Sequence, residues 1–242
     1  MNTVVGVDGC RAGWFWFRKD LSSVSSGTAH SIEELARTLP IGSKIFIDIP
    51  IGLIESGSGG RACDLAARKA LGFPRATSVF SAPARPVLGA EDYEEAKRLS
   101  QKAIGKKLSK QSYLISSKIF EVDEYLCSKV KPGYEIREIH PEVCFWAFNG
   151  RKPMRHSKKR SAGFEERMNV LAKRIPDAQE LVDRAMRKYK RSQVAKDDIL
   201  DALVAMIVAS TPEKYQRTLP SSPPKDSRGL RMEIVYAEGL SS

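Results

Sequence analysis

The chain opens with two short apolar runs. Val4-Val5-Gly6-Val7 closes on Asp8-Gly9, and Trp14-Phe15-Trp16-Phe17 follows Ala12-Gly13. Two such runs about a glycine-bearing turn predict a β-hairpin. A third, more polar strand is expected within residues 24–30. Ser31 ahead of Ile32-Glu33-Glu34 is an N-cap signal, and the helix it starts should end before Pro40. Ile45-Phe46-Ile47 then reads as a strand buried on both faces, stopped where Pro50 forces Ile49 to be extended.

The next stretch is longer than one crossover needs. A Ser/Gly loop at residues 56–60 precedes helical patterns at 61–71, 91–103 and 110–129, with a Ser/Pro/Ala loop at 77–86. After a break at Pro132-Gly133, residues 135–139 read as a fifth strand ending in His140-Pro141-Glu142. A basic loop at 151–160 (RKPMRHSKKR) leads to helical patterns at 164–174 and 178–187, and residues 231–236 read as a last strand. From Ile199 to Val208 nearly every residue is Ile, Leu, Val, Ala or Met, so this helix is apolar all round and should be buried. With no repeat and no clear linker, the expectation is one α/β domain over 1–242, with a mixed five-stranded sheet flanked by helices and a helical insertion at about 55–131.

Acids end these apolar elements. Asp8 closes the first strand, Asp48 the buried one, Glu138 and Glu142 flank the end of the fifth, and Asp197, Asp198 and Asp201 open the buried helix. If the first and fourth strands are neighbours, Asp8 and Asp48 end side by side, with Asp198 and Asp201 next to them. Carboxylates packed at a buried sheet end repel and are costly to ionise. Mg²⁺ or Mn²⁺, which take hard oxygen ligands, would resolve that conflict. Two such ions roughly 4 Å apart can activate a water and stabilise a leaving oxygen in phosphodiester cleavage. Simpler roles compete: Asp198 as an N-cap with Asp201 at N3, Asp8 as a turn residue before Gly9, Glu138 paired with Arg137.

Composition sharpens the choice of partner. The formal net charge of +11 suits a polyanion, and 42% hydrophobic residues suffice for a core. Four cysteines without a C-x-x-C pair and three histidines argue against a zinc cluster and fit a reducing compartment. No signal peptide and no run of membrane-spanning length is visible, so the expected place is the cytoplasm, away from membranes. Arg61, Arg68, Arg75 and Arg85 in the insertion, and Lys158, Lys159 and Arg160 in the basic loop, are candidate phosphate contacts. Against each insertion arginine stands a solvated helix face with a structural ion pair, such as a surface pair between Asp64 and Arg68, four apart on a helix. His140 and His156 have no nucleophile partner in view.

GVDGCRAGW, FIDIPIGL, REIHPEV and KDDILDALVA, with RACDLAARKALG, ATSVFSAP, LSKQSYLISSKIFEVDEYL and SRGLRMEIVY, resemble the signature blocks of an uncharacterised family of predicted ribonuclease H-like nucleases. The resemblance runs over nearly the whole chain. The D-x-x-D-A spacing from Asp198 to Ala202 is similar to the closing motif of Holliday-junction resolvases of the same fold. It implies a ribonuclease H-like sheet and metal ligands at Asp8, Asp48, Asp198 and Asp201, with Glu142 and Glu138 as further catalytic candidates. The implied activity is metal-dependent hydrolysis of phosphodiester bonds in DNA or RNA. A fold does not fix a function. A nucleic-acid-binding protein that does not cut remains an alternative. A phosphotransferase, suggested by the likeness of Asp8-Gly9 to a sugar-kinase phosphate loop, ranks last.

Overall fold

The structure, a computed structural model, describes residues 3–21, 23–128 and 133–238. The expected hairpin is present. Strands β1 (Val4–Cys10) and β2 (Gly13–Lys19) pair antiparallel from Val4↔Lys19 to Cys10↔Gly13, leaving Arg11 and Ala12 as the loop. Gly13 has φ 113°, and a β carbon there would lie 2.3 Å from the Ala29 carbonyl oxygen, so the turn needs glycine. Asp8 lies inside β1, opposite Phe15, and the turn role considered for it is therefore corrected. The two strands extend further than their apolar runs because the main-chain ladder continues to the loop.

Strand β3 (Val24–Ala29) pairs antiparallel with β2, and β4 (Lys44–Ile47) runs parallel beside β1. Strand β5 (Glu135–Glu138) lies parallel to β4, giving the order β3-β2-β1-β4-β5. This is the expected mixed five-stranded sheet, flanked by helices and consistent with a ribonuclease H-like fold. The helices are α1 (Ile32–Arg37), α2 (Ala62–Leu71), α3 (Tyr93–Ile104), α4 (Lys110–Cys127), α5 (Pro141–Phe148), α6 (Ser161–Ala172), α7 (Ala178–Lys188) and α8 (Lys196–Ser210). Ser31 caps α1 as expected, its hydroxyl accepting the Glu34 N–H at 3.1 Å. Strands β6 (Gln216–Leu219) and β7 (Ile234–Ala237) form a separate two-stranded sheet, so the last strand starts later than its sequence pattern suggests. The expected end of α4 at Lys129 and the break at Pro132 lie outside the described residues.

The chain divides into two units. The first comprises Met1–Asp48, Pro132–Arg217 and Val235–Ser242, and holds the five-stranded sheet with α1 and α5 to α8. Every residue of α8 from Ile199 to Ala209 is buried. At roughly 1.5–3 kcal/mol for each fully buried Val, Leu or Ile, it is a main source of this unit's stability. It meets β1 at Gly6, where a β carbon would lie 2.0 Å from the Met206 nitrogen and 2.3 Å from the Ala202 oxygen. Main chain touches main chain there, and only glycine permits it. Helix α5 was not expected from the apolar pattern. Its eight residues are all buried, and it starts at Pro141, where a missing N–H costs nothing.

The second unit comprises Ile49–Lys131 and Thr218–Ile234 and includes α2, α3 and α4, so the expected insertion at 55–131 falls within it. One of its apolar clusters joins Ala84, Val87, Ala96 and Leu108. Among the described residues, no helix is long and apolar enough to cross a membrane, and all four cysteines are free thiols.

A candidate metal centre

The sheet register places the first two acids. The Asp48 N–H donates to Val7 O at 3.0 Å, so the chain leaves β4 level with Asp8 on β1. Side chains alternate along a strand, so Asp8 shares a face with Gly6, the position against α8. Asp48 lies on the same face, in register with Asp8. Asp201 precedes Ala202, whose carbonyl closes on Gly6, and it is completely buried. Asp8 is also buried, while Asp48 is partly so. Asp8 Oδ1 accepts the Gly9 N–H at 2.8 Å.

The electrostatics bear the mark of like charges out of water. Burial, then Asp48 and Asp201, push the Asp8 carboxyl well above the usual carboxylate range. Burial and the neighbouring Asp201 push Asp48 up to about 8. Burial raises Asp201 too, against the pull of Lys158, and pushes Asp198 up to about 6. Asp198 stands third in α8, where its Oδ2 accepts the Ala195 N–H at 2.8 Å. It thus closes the helix start from inside. The N-cap position considered for it belongs to Ala195, and Asp201, a turn further on, takes no part in capping.

Lys158 was expected to be a phosphate contact of the basic loop. Its ammonium instead lies 2.5 Å from Asp201 Oδ2 and 3.8 Å from Asp197. Burial alone would lower this ammonium, but Asp201, Asp8 and Asp48 hold it well above its ordinary value. Lys159 and Arg160 remain exposed.

The two glutamates flank this set, and the charge of Glu142 raises both Asp48 and Asp201. Glu138 shares a row with Val7 and Ile47, so alternation carries it to the opposite face from Asp8 and Asp48, although its charge still raises Asp48. Glu142, at the start of α5, is buried against Arg167 of α6, whose Nε donates to Oε1 at 3.0 Å. Arg167 is fully buried and also donates to the carbonyls of Gly163 at 2.8 Å and His156 at 3.1 Å. Apolar periodicity could not reveal this pair, because its guanidinium is enclosed by main chain.

Three of the four insertion arginines, Arg61, Arg68 and Arg85, are engaged inside the second unit. Arg61 is buried and pairs with Asp64 at 2.5 Å, so the expected Asp64–Arg68 surface pair is corrected: Asp64 turns inward to the residue three before it. Arg68 instead donates to Val79 O and Ser81 Oγ, both at 2.9 Å. Arg85 is buried among Asp226, Asp123 and Glu55. Arg75 is partly buried, in a 3₁₀ turn at Arg75–Ser78.

The donor set of the first unit suits a hard divalent cation. Its ligand atoms are carboxylate oxygens, and the buried Asp201 Oδ1 has no hydrogen-bond partner. No three of the four aspartates bring oxygens within 4.8 Å of one another, an arrangement in which Lys158 supplies the counter-charge.

The mixed sheet and its acids define an α/β protein with a buried carboxylate centre. The chain belongs to the family described as "Protein of unknown function (DUF429)", whose model matches residues 6–225. No curated protein and no solved structure matches it.

Proposed function

We propose that the chain is a metal-dependent nuclease whose centre is Asp8, Asp48, Asp198 and Asp201, with Mg²⁺ or Mn²⁺ as cofactor and DNA or RNA as substrate. The observation that carries this reading is the convergence of Asp8, Asp48 and Asp201 in a buried place that holds their carboxyls above the usual range. Such repulsion costs the fold stability, and a bound cation would relieve it. A divalent ion bound there would offset the negative charge and polarise a water or a phosphate oxygen. Asp8 and Asp201 would bind it, fixed by the main-chain contact between β1 and α8. Asp48, which keeps its proton to about pH 8 without a cation, would release it on loading. Lys158 would leave Asp201 and offer its charge to a phosphate. Glu142 acts here through Arg167 to hold α5 against α6, and Glu138 stands behind the sheet.

One observation favours a second reading. Lys158 already neutralises Asp201, so the same fold could bind nucleic acid without cutting it.

The test is cleavage of single-stranded, duplex, hybrid and four-way-junction substrates with Mg²⁺, Mn²⁺ or EDTA, wild type beside Asp48→Asn. Metal-dependent cutting that the variant lacks is the expected result. Salt-dependent binding with no cutting under any condition would leave the second reading standing.

A further inference from the structure

A cleft of about 600 Å³ opens beside the carboxylate centre in the first unit, walled by α6, the turn ahead of α8, and the 158–161 segment. Lys158 and Asp197 belong both to its lining and to the ion pairs of the centre, so the two spaces adjoin. Its lining carries five cations, Lys158, Lys159, Arg160, Arg191 and Lys196, against two acids, Glu165 and Asp197. None of Lys159, Arg160, Arg191 and Lys196 is paired with a carboxylate among the described residues. Four unneutralised cations around one concavity repel each other, and a polyanion relieves that.

The cleft also has an apolar wall. Phe164 is half-buried in it, with the Lys196 ammonium 5.4 Å from its ring, and Asn169 presents an exposed amide nearby. A volume of this size suits a small ligand and is far too small for a double helix. Cations for phosphate, a ring for a base and an amide for a base edge are what an unpaired nucleotide requires. We propose that this cleft holds one or two unpaired nucleotides of a nucleic-acid strand and leads the adjoining phosphodiester to the carboxylates. The proposal rests on the nuclease reading for the purpose of the cleft, but not for its occupancy.

The test is fluorescence anisotropy in EDTA with a short labelled single strand, the same sequence as a blunt duplex, and a polyglutamate peptide as competitor. The single strand should bind at least tenfold more tightly than the duplex, and the peptide should compete poorly. Phe164→Ala should weaken single-strand binding roughly tenfold, the loss of one stacked base. Arg191→Ala, at an exposed position, should lower the slope of log K against log salt by about 0.7, the loss of one phosphate contact. Thermal melts check folding, and Arg191→Ala carries the test should Phe164→Ala not fold. Equal affinity for strand and duplex, strong competition by polyglutamate, or wild-type binding by both variants would overturn the proposal. Tight strand-selective binding without cleavage in any metal would sink the nuclease reading alone.

Discussion

The ammonium of Lys158 meets Oδ2 of Asp201 at 2.5 Å, and Asp201 has no exposed surface. The pair is lopsided: the acid is enclosed, while the Lys158 side chain keeps 36% of its exposure. Removing the lysine therefore leaves a buried carboxylate without its counter-charge. Breaking a fully buried pair costs about 3–5 kcal/mol, and screening at the lysine end reduces this to about 2 kcal/mol. Lys158→Ala should lose that much stability in urea at neutral pH without metal. Added Mn²⁺ should restore more stability in the variant than it adds to wild type. A variant as stable as wild type in EDTA would show that Asp201 is held neutral without the lysine.

The same acids set a pH dependence. Their folded values lie above their unfolded ones, so the native state keeps protons that the unfolded chain has lost. Their contribution is complete below about pH 4 and is lost as the pH rises through about 6 for Asp198 and about 8 for Asp48. Stability in EDTA should fall across that window, by up to about 1.4 kcal/mol per pH unit for each proton retained. Saturating Mn²⁺ should flatten the fall. Asp48→Asn should be more stable than wild type at about pH 8 in EDTA and respond less to the cation. Urea midpoints against pH, with and without Mn²⁺, check both; a rise in stability across the window would refute the assignment.

Arg167 and Glu142 make a purely internal contact. The guanidinium is fully buried, and among the described residues Glu142 is the carboxylate that balances its charge. Arg167→Leu strands a buried carboxylate and should cost about 3–5 kcal/mol. Arg167→Leu with Glu142→Gln should recover a good part of that. Denaturant unfolding of the two variants settles it, and equal losses in both would mean the guanidinium matters for its carbonyl contacts alone.

Gly6→Ala tests the junction of β1 and α8. A methyl there would overlap main-chain atoms at 2.0 and 2.3 Å, which no rotamer can relieve. Overpacking typically costs 1–3 kcal/mol, and a backbone clash belongs at or beyond the upper end, so a loss of about 3 kcal/mol or more is expected. A thermal midpoint close to wild type would mean that the helix slides freely along the strand.

Much of this fold is legible in the sequence, for reasons that differ between elements. β4 is readable because Ile45-Phe46-Ile47 is apolar without alternation, and α8 because it is apolar all round. Helix α5 is not, because its apolar run follows directly on a strand and no polar face breaks the pattern, although Pro141 at its first position was a usable signal. The acids of the centre are readable because each borders an apolar run. Lys158 is hidden for the opposite reason: a run of like residues gives no sign of which member turns inward, and only the fold places Asp201 within its reach. Asp64 illustrates the same limit, since partners three and four residues away are both in range and burial chooses between Arg61 and Arg68.

Asp8 and Asp201 are far apart in the sequence, yet the packing of β1, β4 and α8 makes them neighbours. During synthesis β1 emerges long before α8, the helix that completes the centre. A growing chain, or one cut short before α8, therefore has no assembled acid cluster. Any chemistry the centre performs is withheld until α8 has been made and has packed on β1.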